Sequence, residues 1–240
     1  MSQAPGPQVT PRDIEILAWI GRHGLVTPDQ VSARFFSRDG GSLGQWASYR
    51  RLRKLEQLHL LRRDATFWRY PTVLRLTTSG IRVADLDLSP AHLVLAEVRH
   101  SLGLVDLTEK LLAHNAGATL VTEREIRAQR FRELAEKTRR PGFGRIPDGI
   151  LHLANGKTVA VELDLTSKRQ RDIERIITGY KQEHYDAVWW FVRPTLMDRL
   201  RSVVRSNQAD DFINVRRWDG PLAGPSPHDR HVPRLGPSLG

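Results

Sequence analysis

Asp148, Glu162 and Asp164 are the side chains of this sequence best placed to do chemistry together, and Lys168 follows within one helical turn's distance in the chain. Pro147-Asp148 opens one apolar run and Glu162-Leu163-Asp164 closes the next, with Asn155-Gly156 between them. Asn-Gly between two such runs signals a β-hairpin, because glycine accepts the positive φ that a tight turn demands. Strand side chains alternate faces, and a slip of one residue turns every one of them over. Leu151 and Leu153 form one apolar row, and Val159, Val161, Leu163 and Leu165 form another. A loop of Asn155, Gly156 and Lys157 puts the rows on one face, whereas a two-residue Asn155-Gly156 loop sets Leu153 against Thr158. The three-residue loop predicts Asp148 opposite Asp164 and beside Glu162. Carboxylates gathered in this way repel one another unless a divalent cation, a basic neighbour or a captured proton relieves them. The pattern therefore fits a site that holds a metal ion for cutting DNA, and it equally fits a carboxylate-rich, solvated strand face.

The segments around the hairpin predict what would position these acids. A helix from about Ser167 to His184 follows, with Ile173, Ile176, Ile177 and Tyr180 on its inner face, so that Lys168, Tyr180 and Lys181 are available to the acids. Strand Ala187 to Val192 is apolar on both faces and is expected at the centre of a covered sheet. A helix from about Thr195 to Ser206 and a strand near Asn214 to Arg217 complete an α/β unit. Upstream, Ser89-Pro90 is expected to start a long helix to about His114 that carries Asp106 and Glu109, followed by a strand near Ala118 to Val121 and a helix from about Glu123 to Lys137. The basic Gly/Pro loop from Thr138 brings Arg139, Arg140 and Arg145 to the mouth of the hairpin.

The first 86 residues have a different character. Thr10-Pro11-Arg12-Asp13 and Thr27-Pro28-Asp29-Gln30 each combine a capping threonine, a proline at the first helical position and an acid or amide at the third. A third helix runs from about Gln45 to Leu58 with Leu52, Leu55 and Leu58 inward, and short strands are expected at Leu60 to Arg63 and Val73 to Leu76. Three helices and a hairpin in that order read as a winged helix-turn-helix. Arg50 and Lys54 lie a turn apart opposite Leu52, with Trp46, Arg51 and Arg53 at the flanks and Arg62, Arg63 and Arg69 on the hairpin. That surface suits contact with DNA.

Composition points to the same partner. The 240 residues carry a formal net charge of +10 and a pI near 10.6, which favours a polyanion, and arginine outnumbers lysine about five to one. Cysteine is absent, so disulfides and thiolate zinc sites are excluded. The histidines show no metal-ligand spacing, and no nucleotide-binding glycine loop is present. Without a signal-like or membrane-spanning apolar stretch, the chain reads as soluble and cytoplasmic. The expected organisation is a DNA-binding domain over 10–86, an acid-bearing domain over 89–219 and a disordered Pro/Gly/Ser tail over 220–240.

A Pro-Asp on one strand and a Glu-x-acid on the next, followed by a helix, resembles the PD-(D/E)XK nuclease superfamily. More narrowly, the order of Arg99-His100-Ser101-Leu102 with Asp106, Thr122-Glu123-Arg124-Glu125-Ile126-Arg127, and the hairpin running to Thr166-Ser167-Lys168 resembles the replication-relaxation family of plasmid and mobile-element proteins. The resemblance implies an α/β fold, α+β overall, with an N-terminal winged helix-turn-helix and a PD-(D/E)XK-like mixed-sheet domain. It implies a catalytic set of Asp148, Glu162, Asp164 and Lys168, with Mg²⁺ on the three carboxylates, and it makes Asp106 a further candidate acid. The partners it implies are double-stranded DNA and a replication or transfer protein, with no membrane; the oligomeric state is open, a dimer included. The lysine expected two residues after Glu162 is Asp164 here. The preferred expectation is accordingly a DNA-binding accessory protein with a nuclease-like domain, and the alternative is a metal-dependent endonuclease or nickase.

Overall fold

Thr10 and Thr27 both do what their spacing predicts. In the computed structural model, which describes residues 8–36, 42–66, 71–136 and 145–220, each threonine caps a helix in a reciprocal box, with Asp13 for α1 (Pro11–His23) and Gln30 for α2 (Pro28–Phe35). Helix α3 (Ser42–Gln57) packs on them through Leu52 and Leu55, both fully buried with Ile16, Leu17, Ile20 and Val31. Strands β1 (Leu61–Asp64) and β2 (Val73–Leu76) then pair antiparallel with Leu61 opposite Leu76. A short helix that the sequence pattern does not announce, α4 (Thr78–Val83), follows directly, capped by Thr77. Its six residues are too few to show an apolar period.

A buried ion pair locks this cluster. Asp13 is 1% exposed and receives both Nε and Nη2 of Arg51 from α3, while the Thr10 amide donates to it at 2.6 Å. Burial alone would push its carboxyl up, but the bonds from Arg51 and Thr10 outweigh burial and hold it below the usual value.

The second part is a five-stranded mixed sheet with helices on both faces. It comprises α5 (Val98–His114), β3 (Thr119–Thr122), α6 (Glu123–Glu136), β4 (Gly149–His152), β5 (Thr158–Asp164), α7 (Gln170–Lys181), β6 (Ala187–Val192), α8 (Pro194–Ser206) and β7 (Ile213–Arg217). The strand order is β3-β4-β5-β6-β7, antiparallel as far as β5 and parallel from β5 to β7. Helix α5 covers one face through Leu107 and Leu111 on Leu151, Val159 and Val161. Helices α7 and α8 cover the other, on Ala160, Val188 and Trp190. The middle strand is β5, buried from Val159 to Asp164, with β6 beside it. At Gly103 a Cβ would stand 3.1 Å from Leu163, so the missing side chain lets α5 lie this close to β5.

Two expectations need correction. The long helix starts at Val98 after a 3-10 turn at Leu95–Glu97, and not at Ser89-Pro90. Carbonyls that would have begun an earlier helix are taken from outside it, Ala91 by Arg75 at 2.7 Å and Ser89 by Arg124 at 2.6 Å. The hairpin loop is Ala154, Asn155 and Gly156, not Asn155 to Lys157, because Leu153 pairs with Lys157 and Leu151 with Val159. In a three-residue loop the last residue adopts positive φ, and Gly156 does so at 83°. The register moves by two residues relative to the expectation. The apolar rows keep their shared face, but Gly149 pairs with Val161, which brings Asp148 opposite Glu162 and not Asp164.

Arg51→Ala strands the buried Asp13 carboxylate and should cost roughly 3 kcal/mol in urea unfolding, against less than about 0.5 kcal/mol for the exposed Arg53→Ala. Since the folded pKa of Asp13 is depressed, its contribution is complete at neutral pH and is lost as pH falls below about 4. Arg51→Ala should therefore also flatten the acid limb of the stability profile.

Candidate functional site

Alternation along β5 sends Glu162 and Asp164 to the α7 face, where they are 2% and 8% exposed. Glu162 accepts hydrogen bonds from Arg145 Nη2 at 2.6 Å and Nε at 3.1 Å, and a further one from the Tyr180 hydroxyl on α7. Asp164 accepts from Trp190 Nε1 at 3.0 Å and pairs with Lys168, which comes back over it from the β5–α7 connection. Asp148, just before β4, turns its carboxylate to the sheet end. One oxygen accepts the Leu163 amide at 2.8 Å, and the other lies 3.2 Å from His100 Nε2 on α5. Asp148 also opens onto a cavity of about 450 Å³ that His100, Arg124 and Arg127 help to line.

These surroundings set the proton affinities. Burial, then the Asp148 charge, pushes Glu162 from its ordinary 4.5 up to about 7, against the opposing pull of Arg145 and Tyr180. Burial works against the Arg145 charge, and Glu162 more than restores it. Burial and then Glu162 push the Tyr180 phenol up, which keeps it a donor. Burial disfavours the His100 cation, yet the bond to Asp148 wins and raises its pKa. Burial lowers Lys168. Glu162 is thus a buried carboxyl able to gain or lose a proton near neutrality, held by a fixed cation and a fixed phenol.

The three carboxylates do not close around a common point. Among the described residues, no three His, Cys, Asp or Glu side chains form a group that could hold a metal ion. Each acid is instead occupied, Glu162 by Arg145, Asp164 by Lys168 and Asp148 by the Leu163 amide and His100, so the donor set does not fit a cation as it stands. Arg145 and Lys168 were expected near the acids, and the structure brings both to them. The link from His100 to Asp148 has no sequence signal beyond the presence of His100 in a helix, because it joins residues far apart in the chain. Asp106 and Glu109 lie elsewhere. Asp106 accepts from Gln30 at 2.8 Å and Glu109 from Trp19 at 3.0 Å, which docks α5 onto α1 and α2.

The second feature is the outer face of α3. Trp46 is 76% exposed, and Tyr49, Arg50 and Arg53 are exposed beside it. With Glu56 and Arg63 they line an open depression of about 700 Å³. Lys54 is half-buried. Arg51 turns away to Asp13, Arg62 is exposed and bonds Asp64 at 2.9 Å, and Arg63 reaches Glu56 at 2.6 Å. Arg69, Arg139, Arg140 and the tail from residue 221 lie outside the described residues.

A family model described as replication-relaxation matches residues 17–190, more than half of the chain, from within α1 to within β6. No curated protein and no solved structure matches.

The pH dependence of stability tests the acid cluster. Because the folded pKa of Glu162 is raised, its contribution is complete below about 4.5 and is lost as pH rises through about 7. His100, also raised, loses its contribution in the same direction. Unfolding at pH values from about 5 to 8 should show falling stability in the wild type, a flatter profile in Glu162→Gln and a flatter one still when His100→Gln is added.

Proposed function

The chain belongs to the replication-relaxation family, and from that membership we propose that it is a DNA-binding accessory protein for replication, relaxation or mobilisation of a plasmid or mobile element. The observation that carries the reading is the outer face of α3, where Trp46, Tyr49, Arg50 and Arg53 stand exposed on the third helix of a three-helix and hairpin unit. In this reading residues 10–86 act as a winged helix-turn-helix, with α3 in the major groove of double-stranded DNA and Arg62 on the hairpin reaching the phosphates. An exposed indole beside two guanidinium groups offers apolar and bidentate contacts to one surface. The net charge of +10 supplies the nonspecific attraction.

The remaining domain, over 89–219, is read as a PD-(D/E)XK-like fold that binds DNA or a replication or transfer protein without cutting. Support comes from the acids, whose charges are already met by Arg145, Lys168 and His100. One observation favours a second reading, a Mg²⁺-dependent nickase: the register sets Asp148 opposite Glu162, with Lys168 at Asp164. For that activity Arg145 must leave Glu162 before a metal could be held there.

Arg50→Ala/Arg53→Ala should weaken duplex binding and reduce the log–log salt slope by about 0.9 for each phosphate no longer neutralised, with the fold intact by circular dichroism. Unchanged affinity and slope would remove the basis for the reading. Supercoiled plasmid incubated with Mg²⁺ or Mn²⁺ should stay uncut. Nicking that chelator and Glu162→Ala both abolish would establish the nickase instead.

A further inference from the structure

A strand at the end of a sheet presents N–H and C=O groups that no neighbour meets, and it is a template for one more strand. Strand β7 is such an end strand, with β6 on one side only. The Val188 amide donates to the Phe212 carbonyl at 2.8 Å and the Trp218 amide to the Val192 carbonyl at 2.7 Å. By alternation Asn214 and Arg216 also turn their backbone groups to β6, and those of Ile213, Val215 and Arg217 point away from it. The Ile213 amide is taken by the Ala209 carbonyl at 2.8 Å. Among the described residues, nothing meets the outward amides of Val215 and Arg217.

A depression of about 410 Å³ lies along this edge, bordered by β7 and by α8. Ile213 and Val215 on its lining pack with Val203 and Val204 of α8, in the layer on that face of the sheet. Arg216, also on its lining, turns to the opposite face, where its guanidinium sits 3.8 Å from the centre of the Trp189 ring in the α5 layer. Side chains from both faces of one strand border a single depression only around the open edge of that strand. Arg201 and Arg205 of α8 form the far wall.

The groove is basic. Arg201, Arg205 and Arg216 are exposed, and among the described residues that line it Asp210 is the one acid. Among the described residues, none of the three guanidinium groups has an ion pair or a hydrogen bond. Partial burial lowers the Arg216 pKa, and no acid opposes it. The stack on Trp189 covers one face of that guanidinium and leaves its N–H edges for an acceptor. A second copy of the chain is a poor occupant, because two β7 edges side by side would set Arg216 and Arg217 against like charges. A phosphate backbone offers acceptors only, whereas an extended peptide supplies acceptors for the outward amides and donors for the outward carbonyls.

We propose that the groove between α8 and β7 docks an extended acidic segment of a partner protein, which adds to β7 as a further strand and sets its carboxylates against Arg201, Arg205 and Arg216. The groove stands on the geometry of the sheet edge and not on the DNA-binding function proposed above.

The test uses the full chain as wild type, Arg201→Ala/Arg205→Ala, Val215→Pro and Arg50→Ala/Arg53→Ala. The probe is an end-blocked, fluorescent peptide of about seven residues that alternates glutamate and threonine, with a lysine and threonine peptide of the same length as control. Anisotropy should show binding of the acidic peptide alone, weakening as salt rises. Arg201→Ala/Arg205→Ala should weaken binding about tenfold and flatten its salt dependence. Val215→Pro removes an outward N–H without touching the ladder to β6, so it should weaken binding about tenfold and leave the salt dependence as it was. Hydrogen exchange in the wild type should slow at the Val215 and Arg217 amides when the peptide is added, a readout that does not depend on how the proline variant folds. Unchanged exchange at both amides overturns strand addition, and so does full affinity in a folded Val215→Pro. Equal binding of the two peptides, or binding of neither, overturns the groove. Loss of duplex affinity in Arg201→Ala/Arg205→Ala, with no acidic peptide bound by the wild type, assigns the surface to nucleic acid and overturns the proposal. Arg50→Ala/Arg53→Ala should take the peptide as the wild type does, and a wild type that takes it yet binds no duplex supports the groove while the DNA-binding function fails.

Discussion

Burying Glu162 and Asp164 on the middle strand of a sheet costs several kcal/mol for each ion unless a cation and further donors come with it. That requirement recruits segments from far along the chain. Arg145 must leave its loop to reach Glu162, Tyr180 must direct its hydroxyl inward from α7, and Trp190 must commit its indole N–H to Asp164. Lys168 closes the connection between β5 and α7 over Asp164. A sheet assembled only from apolar contacts would tolerate sliding of α7, whereas one with two buried acids holds it at a single position, because each hydrogen bond has a narrow geometry.

The same contacts set the proton affinities of the cluster. Arg145 and Lys168 pair with Glu162 and Asp164, and burial together with the nearby Asp148 charge still pushes Glu162 up to about 7. A group poised there changes its protonation with small changes in its surroundings.

The α3 face and the sheet are held in one frame by polar contacts as well as packing. Gln30 donates to the Leu102 carbonyl at 3.0 Å and to Asp106, and Trp19 and Arg34 meet Glu109. Arg124 of α6 donates to the Gly21 carbonyl at 3.1 Å and to Ser89. Exposed ion pairs alone would contribute at most about 1 kcal/mol each. Arg124 does more, because its partners are the Gly21 carbonyl in the last turn of α1 and the Ser89 carbonyl outside any helix.

Much of the molecule is local, and the local part is legible from residues alone. The Thr-Pro caps locate α1 and α2 because a cap depends on four consecutive residues, and the alternating Leu and Val rows identify β4 and β5 and the face they share because pleating has a period of two. The need for cations beside the acids is legible too, since like charges cannot be gathered unrelieved. The hairpin register was not, because a shift of two residues keeps both apolar rows in place and only the position of Gly156 in the turn separates the alternatives. Nor was the start of α5, where arginines remote in sequence compete for the carbonyls. Composition marked Arg51 as one more basic residue of α3, and the fold turned it to Asp13. Residue types and their spacing establish which side chains are apolar, charged or able to cap. Which charges meet is settled in three dimensions alone, since an ion pair between distant segments depends on the path of the whole chain and leaves no periodic trace in either segment.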